Sequence, residues 1–137
     1  YEAAILLSGH YPNRGQYLDA GIEGFREAGG KMRVLAILEN QVEGIDGDHA
    51  AKYETAALMF LDPKTQDATT LEDHSDVGGP DEKRNWMDPT FEGHPCYGLV
   101  GIDPRIYATD AVGRASSQRL IEVLEDWLDG KSEIADS

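Results

Sequence analysis

The feature that most constrains the fold is an apolar run that ends in a short polar turn and leads into a helical pattern. Residues 3–7 (AAILL) carry no charge and suit a buried strand. Helical spacing of apolar residues follows over 14–28, and a glycine pair at 29–30 is a typical helix stop. Residues 32–38 (MRVLAIL) form the next apolar run. This order predicts a βαβ unit, with parallel strands at 3–8 and 32–38.

The remainder of the chain divides into two predicted helices and a long loop region. We expect one helix over 48–61, ended by an Asp-Pro pair, and another over 109–129, with its N-cap at Thr109. Residues 64–104 are rich in Asp, Glu, Gly and Pro and show weak periodicity, which predicts a long loop region. Its aromatic residues pack either locally or onto a neighbouring subunit. We therefore expect a single α/β domain spanning 1–137.

Charge and composition exclude several classes of partner. The formal net charge of −14 argues against binding to nucleic acid or to anionic membrane surfaces, which both need clustered cations. The only cysteine, Cys96, can form neither an intrachain disulfide nor a thiolate zinc cluster. No apolar run reaches the roughly 18 residues of a membrane span. We expect a cytoplasmic protein.

His10 is the first candidate functional residue. It follows a glycine at the carboxyl end of the first predicted strand, and in open α/β sheets ligands and chemistry collect at that edge. A neutral imidazole at this place is a good ligand for zinc or manganese. The alternative is a structural histidine held by hydrogen bonds.

A second group of candidates lies at residues 46–56. His49 is predicted in the first turn of a helix, and Asp46 and Asp48 beside it would suit it to proton transfer near neutral pH; either aspartate could instead cap the helix. Glu54 is predicted in the same helix, and the apolar residues that follow it indicate that this helix is largely buried. Its carboxylate therefore needs a metal, an arginine or a hydrogen-bond donor as partner. His74 and His94, in polar loops, are expected to be solvated.

These segments together resemble the creatininase family of metal-dependent amidohydrolases. Residues 8–13 (SGHYPN) are similar to the family pattern NGH(G/Y)xN at a strand end. Residues 49–56 (HAAKYETA) are similar to H(A/G)Gx(F/Y)ETS at a helix start, and residues 102–105 (IDPR) resemble a GDPR-like turn before the last helix. The resemblance implies a three-layer α/β fold with a mostly parallel sheet and an oligomer, often a hexamer. It also implies hydrolysis of a cyclic or linear small-molecule amide by metal-activated water.

The resemblance also implies a role for each candidate. His10 matches a metal-binding histidine, and His49 matches the histidine that handles the proton. Glu54 matches an acid that either binds the metal or supports a ligand. Residues in substrate-contacting positions are Tyr11, Asp46 and Asp48. The implied cofactor is zinc or manganese, as one or two ions, with iron also possible.

Departures from the family pattern narrow this expectation. Creatininase itself has a metal-binding glutamate where this chain has Pro12, which points away from creatinine as the substrate and favours a single metal. Family members draw a glutamate, a histidine and an aspartate from an N-terminal strand and loop, so the resemblance implies that this chain is similar to the C-terminal half of the family fold. We therefore expect a further segment of the same gene product to pack beside residues 3–13. The alternative functions are a catalytically silent binding or assembly module with the same fold, and an unrelated doubly wound domain.

Overall fold

The computed structural model describes residues 1–64, 75–132 and 134, which form a small mixed α/β arrangement of helices and two short sheets. The chain divides into two compact units, one made of Tyr1–Ile45 with Arg119–Ser137 and the other of Asp46–Gln118. The single domain over 1–137 stays a prediction. His74, together with residues 65–74 of the predicted loop, lies outside the described residues.

A parallel pair of strands forms the centre of the first unit. Strand β1 (Ala3–Ser8) pairs with β2 (Arg33–Leu38) in a register that runs from Ala3 opposite Arg33 to Ser8 opposite Leu38. The predicted βαβ pairing is confirmed. Both strands therefore end at the same sheet edge, where His10 follows β1 and Glu39 follows β2.

The helix predicted over 14–28 is shorter than expected. A four-residue turn, α1 (Asn13–Gln16), is broken by a left-handed Gly15 with φ +81°, and the regular helix α2 spans Leu18–Glu27. Glycine adopts this conformation readily because it has no Cβ. Gly29, with φ +86°, ends the helix as predicted, and the N–H of Gly30 donates to the carbonyl oxygen of Phe25.

Strand β2 carries the core of the first unit. Its five residues from Val34 to Leu38 are all at most 7% exposed, so both of its faces are covered. Side chains from α2 and the loop before β2 pack on one face, and this cluster contains Ile22, Val34, Ala36, Leu18, Phe25 and Met32. By contrast, Leu6 and Leu7 of β1 are 37% and 46% exposed although they point to opposite faces. Each strand pairs only with the other among the described strands, but β1 is more exposed than β2, so β1 is the open side of the sheet.

The second unit contains more regular structure than the sequence predicted. Helix α3 spans Lys52–Leu61, and two three-residue strands, β3 (Lys83–Asn85) and β4 (Val100–Ile102), pair antiparallel. The expected helix start at residue 48 is wrong, because His49 is extended and forms an antiparallel bridge with Val100. The described strands thus form two separate two-stranded sheets, one parallel and one antiparallel. The three-layer fold with a mostly parallel sheet stays a prediction.

Residues 75–104 pack locally. Trp86 and Cys96 are completely buried within this segment, while Met87 and Tyr97 remain about half exposed at 55% and 48%. A short helix, α4 (Pro104–Tyr107), was not predicted; its N-cap Asp103 accepts a hydrogen bond from the N–H of Arg105. The last helix, α5 (Asp110–Leu128), agrees with the prediction over 109–129. Within the described residues, no helix is both long enough and apolar enough to cross a membrane.

Candidate functional site

His10 lies just beyond β1, and its main chain is fixed by a small polar network. The Ser8 hydroxyl accepts hydrogen bonds from the His10 N–H at 3.2 Å and from the Asn13 side-chain amide at 2.9 Å. The Asn13 N–H also donates to the His10 carbonyl oxygen at 3.0 Å. The His10 residue is exposed, and its imidazole has no hydrogen bond or ion pair with another described residue. Its ring nitrogens are therefore available to a ligand.

Glu39 reaches the same sheet edge, although the sequence did not single it out. It is the first residue after β2, at the start of a 3-10 turn (Glu39–Gln41), and it is half-buried. A Cβ built on Gly9 would lie 3.6 Å from Oε2 and 3.8 Å from Oε1 of Glu39, so the carboxylate rests against the backbone that precedes His10. The sequence signal that could have found it is its position directly after the second apolar run.

Tyr11, predicted to contact substrate, lies in the turn after His10. Its residue is half-buried, and its carbonyl oxygen accepts a hydrogen bond from the Arg14 N–H at 3.1 Å. Arg14 in turn forms an ion pair with Asp19 at 3.0 Å. Tyr11 is therefore at the same sheet edge as His10, which is compatible with its predicted role.

His49 is exposed and belongs to the second compact unit, whereas His10 belongs to the first. Its main chain is anchored on β4, since its N–H donates to the Val100 carbonyl oxygen at 2.7 Å and its own carbonyl accepts from the Val100 N–H at 3.0 Å. The backbone of His49 is thus fixed while its ring is open to solvent.

Capping of α3 explains much of the family-like spacing around His49. The Asp48 carboxylate accepts hydrogen bonds from the N–H groups of Tyr53 at 2.6 Å and Glu54 at 3.2 Å, and Asp48 is only 6% exposed. Acceptors at a helix start satisfy amides that have no intrahelical partner. The structural alternative for Asp48 is therefore confirmed, and its carboxylate faces the helix.

Glu54 has a related structural role. Its Oε2 accepts a hydrogen bond from the N–H of Ala50 at 2.6 Å, and the Thr55 hydroxyl donates to the Ala50 carbonyl oxygen at 3.1 Å. Ala50 has a positive φ of 50°, which costs energy for a residue with a Cβ, so these two contacts hold a strained turn. The expectation that Glu54 lies in a largely buried helix is wrong: Glu54 is exposed, and Ala56 is the only described residue of α3 that is buried.

Asp46 forms an ion pair with Lys83 at the start of β3. The two charged atoms are 3.2 Å apart, and the side chains are 53% and 55% exposed. An ion pair this exposed contributes about 0–1 kcal/mol to stability and is easily exchanged for another partner. Asp46 therefore remains accessible for a ligand, unlike Asp48.

The sequence analysis missed a polar network in the second unit. His94 Nε2 lies 2.7 Å from Oδ2 of Asp76, while His94 Nδ1 accepts a hydrogen bond from the Cys96 N–H at 3.0 Å. This pattern requires the neutral tautomer that carries its proton on Nε2. The His94 ring also lies parallel to the Trp86 ring at 6.4 Å. The prediction of a solvated His94 is wrong, because both ring nitrogens are already used.

Arg105 connects this histidine to the buried Asp103. The guanidinium is completely buried, 2.6 Å from Oδ2 of Asp103 and 2.9 Å from Oδ1 of Asp76. A buried charge is tolerated only when it is paired and hydrogen-bonded, and both conditions are met here. Arg84 extends the network, since it donates to the Asp76 carbonyl oxygen at 2.9 Å and to Glu82 at 2.7 Å.

The network changes the acidity of its members. The hydrogen bond from His94, reinforced by Arg105, lowers the pKa of Asp76. The hydrogen bond to Asp103 raises the pKa of Arg105 further above its usual range. Burial raises the pKa of the Cys96 thiol to about 11, so at neutral pH it is a protonated, unreactive packing group. These features indicate a structural network and not a nucleophilic centre.

Two hollows on the first unit do not include any predicted site residue. One, of about 440 Å³, is lined by the charged side of α2. The other, of about 210 Å³, is mostly apolar and is lined by Tyr17, Phe25 and Met32 among others. The first is lined largely by charged side chains and the second has few polar groups, whereas a small-molecule site typically combines an apolar lining with a few convergent polar groups.

The candidate ligands fit a metal only in part. His10 has the right chemistry and exposure, whereas the Asp48 and Glu54 carboxylates are bound to backbone amides. No group of three or more His, Cys, Asp or Glu side chains suited to a metal occurs among the described residues. A catalytic zinc site normally uses three protein ligands. The described residues therefore supply only part of the protein ligands that such a zinc site would need.

Comparison with known proteins leaves the family open. No family model matches the chain, and no curated protein or solved structure matches it.

Proposed function

We propose that this chain is the part of a creatininase-like metal-dependent amidohydrolase that contributes His10 to the metal and His49 to proton transfer. The observation that carries the proposal is the exposed imidazole of His10 at the carboxyl end of β1, directly beside the end of the parallel strand β2. This edge is where open α/β sheets bind ligands. The proposal includes a small-molecule amide substrate, a three-layer α/β fold for the complete protein, an oligomeric assembly and a cytoplasmic location.

Within this proposal, the residues around His49 divide into two roles. His49 has a fixed backbone and an open ring, which suits a group that transfers a proton to and from a substrate. Asp48 and Glu54 are positioning residues, because their carboxylates hold the turn that follows His49. Tyr11 and Asp46 are the substrate-contacting residues, and Asp46 can leave its exposed pairing with Lys83 to do so.

A bound zinc or manganese ion would supply an activated water for attack on the amide. His10 suits such an ion, but one ligand does not hold it tightly. We propose that another segment of the same gene product packs beside residues 3–13 and brings the remaining ligands. The open side of β1, with exposed Leu6 and Leu7, is a surface on which that segment could lie.

The test is metal content and amide hydrolysis of the full gene product. We expect near-stoichiometric zinc or manganese and turnover of at least one cyclic or linear amide in a substrate panel. His10→Ala should lower bound metal at least about tenfold, the usual cost of perturbing a metal ligand shell. His49→Ala should keep the metal and slow hydrolysis by about 10²–10⁴-fold, the typical contribution of a general acid or base.

A matched control is Glu43→Ala, an exposed acid in the loop after β2, which should change neither property. Full metal content in His10→Ala would contradict the ligand assignment. Unchanged hydrolysis in His49→Ala would contradict the proton-transfer role.

The second candidate is a catalytically silent binding or assembly module. It is favoured by the capping contacts, since two of the acids in the family-like segment, Asp48 and Glu54, already have a structural purpose. Under this alternative the purified full gene product would hold no stoichiometric metal and would hydrolyse no amide in the panel. His49→Ala would then have no chemical consequence.

A further inference from the structure

Strands β1 and β2 bring two potential ligands to one sheet edge. His10 is the second residue after β1 and Glu39 is the first after β2, in a parallel register that sets Ser8 opposite Leu38. Parallel strands end on the same side, so residues that are 29 positions apart in the sequence (39 minus 10) both lie at that edge. The sequence pattern alone drew attention only to the histidine.

The Glu39 carboxylate is held close to the backbone of the histidine segment. A Cβ on Gly9 would stand 3.6 Å and 3.8 Å from its two oxygens, which is ordinary contact distance. The Cα atoms of adjacent residues are about 3.8 Å apart, so the Glu39 carboxylate lies beside the residue that directly precedes His10.

Neither side chain is otherwise engaged within the described part of the chain. Glu39 is half-buried, yet its carboxylate forms no hydrogen bond or ion pair with another described residue, and the same holds for the His10 ring. A partly buried carboxylate is stabilised by a cation or a donor. One carboxylate oxygen and one neutral imidazole are ligands that zinc, manganese and iron accept.

We propose that Glu39 is a second protein ligand, next to His10, for a divalent transition-metal ion at the carboxyl edge of β1 and β2. This inference rests on the proposed function, because it concerns the same metal, and it adds a residue that the family-like segments do not contain. Two ligands, one of them anionic, leave the remaining positions of the ion to water or to further side chains. The 137-residue chain should therefore bind Zn²⁺ or Mn²⁺ detectably but weakly.

The experiment titrates the purified chain with Zn²⁺ and Mn²⁺ and compares four proteins: wild type, His10→Ala, Glu39→Gln and the double variant. Glu39→Gln removes the charge and keeps the size of the side chain. We expect each single substitution to weaken binding by about tenfold or more. The double variant should bind the metal little more weakly than the single variant with the lower affinity, because removing one of the two ligands already abolishes the shared site.

Glu43→Gln is the matched control, as it removes an exposed acid four residues further along and should leave affinity unchanged. A separate measurement on the unmodified chain is paramagnetic broadening by Mn²⁺, which should first affect the amide signals of Gly9, His10 and Asn40. This readout does not depend on the folding of any variant.

The outcomes separate this inference from the proposed function. If His10→Ala weakens binding while Glu39→Gln behaves like Glu43→Gln, Glu39 is not a ligand and the metal role of His10 stands. If neither substitution weakens binding, or if Mn²⁺ broadens signals elsewhere first, the inference is overturned together with the assignment of His10. If the chain takes up neither ion, the inference is overturned, and the proposed function is judged by the metal content of the full gene product.

Discussion

The Nε2 atom of His94 lies 2.7 Å from Oδ2 of Asp76, eighteen residues earlier in the chain. On the other side of the same ring, Nδ1 accepts the N–H of Cys96. The imidazole thus joins a segment that precedes β3 to the loop that follows it. Because Arg105 binds the second oxygen of Asp76, this carboxylate is the junction of the network.

Asp76→Asn should destabilise the second unit by about 1–2 kcal/mol, the lower part of the range for hydrogen bonds to charged groups, because the Asp76 side chain is 43% exposed. The lowered pKa of Asp76 also fixes the pH dependence. Its stabilising contribution is complete above the ordinary value of 3.8 and is lost as pH falls through the lower folded value.

Urea unfolding of wild type and Asp76→Asn between pH 2 and 7 checks this prediction. The two curves should converge at the acid end of the range. Asp81→Asn, an exposed acid on the same loop, is the control and should follow wild type throughout. A constant difference at every pH would show that the carboxylate charge is not responsible.

Asp48→Ala should destabilise the protein by about 1–2 kcal/mol, because it removes the acceptor for two amides at the start of α3. Asp46→Ala is the matched control, since it removes only an exposed ion pair and should cost at most about 1 kcal/mol. Thermal unfolding followed by circular dichroism measures both. Equal effects of the two substitutions would contradict the capping role.

The Cys96 thiol should resist alkylation in the native protein at pH 8 and react readily in denaturant. Its pKa of about 11 in the folded state exceeds the ordinary value of 9.0, so the neutral thiol is favoured by folding. The stability contribution is constant below about pH 9 and is lost as pH rises towards 11, by about 2–3 kcal/mol in total. Cys96→Ala should show a flatter loss of stability over that interval, measured by urea unfolding at pH 8 and 10.5.

Gly113→Ala should destabilise the second unit by about 1–3 kcal/mol, because the new Cβ would overlap the carbonyl group of Ala56 in α3. Gly24→Ala in α2 is the counterpart, with nothing within 4 Å of the added methyl group. That substitution should stabilise by about 0.5–1 kcal/mol, since alanine loses less backbone entropy on folding. Chemical denaturation of the two variants should give shifts of opposite sign.

The elements of the first unit could be predicted because each of them is marked by a pattern within its own short stretch of sequence. Strands β1 and β2 are continuous apolar runs, and a glycine pair marks the end of α2. The break at Gly15 was not predicted, because a glycine inside a helical pattern is compatible with either a helix or a left-handed turn.

In the second unit only the longer helices could be predicted. Strand β3 is Lys-Arg-Asn and β4 is three residues long, so neither shows the alternation that indicates a strand. The start of α3 was misplaced because His49 pairs with Val100, fifty-one residues later, and such a long-range bridge leaves no local pattern. The same reason hides the contacts among Asp76, His94 and Arg105.

Each compact unit contains one of the two tryptophans of the chain, and both are fully enclosed: Trp127 in the first is 1% exposed and Trp86 in the second 0%. Their neighbours differ, since the Arg33 guanidinium lies 4.4 Å above the Trp127 ring and an imidazole stacks on Trp86. The molecule thus has a separate intrinsic fluorophore in each half. Replacing one indole by phenylalanine leaves the other as the only tryptophan, whose emission can be excited selectively at the red edge of its absorption. Equal unfolding midpoints for the two single-tryptophan variants would show that both halves unfold in one cooperative event, and different midpoints would show that they unfold separately.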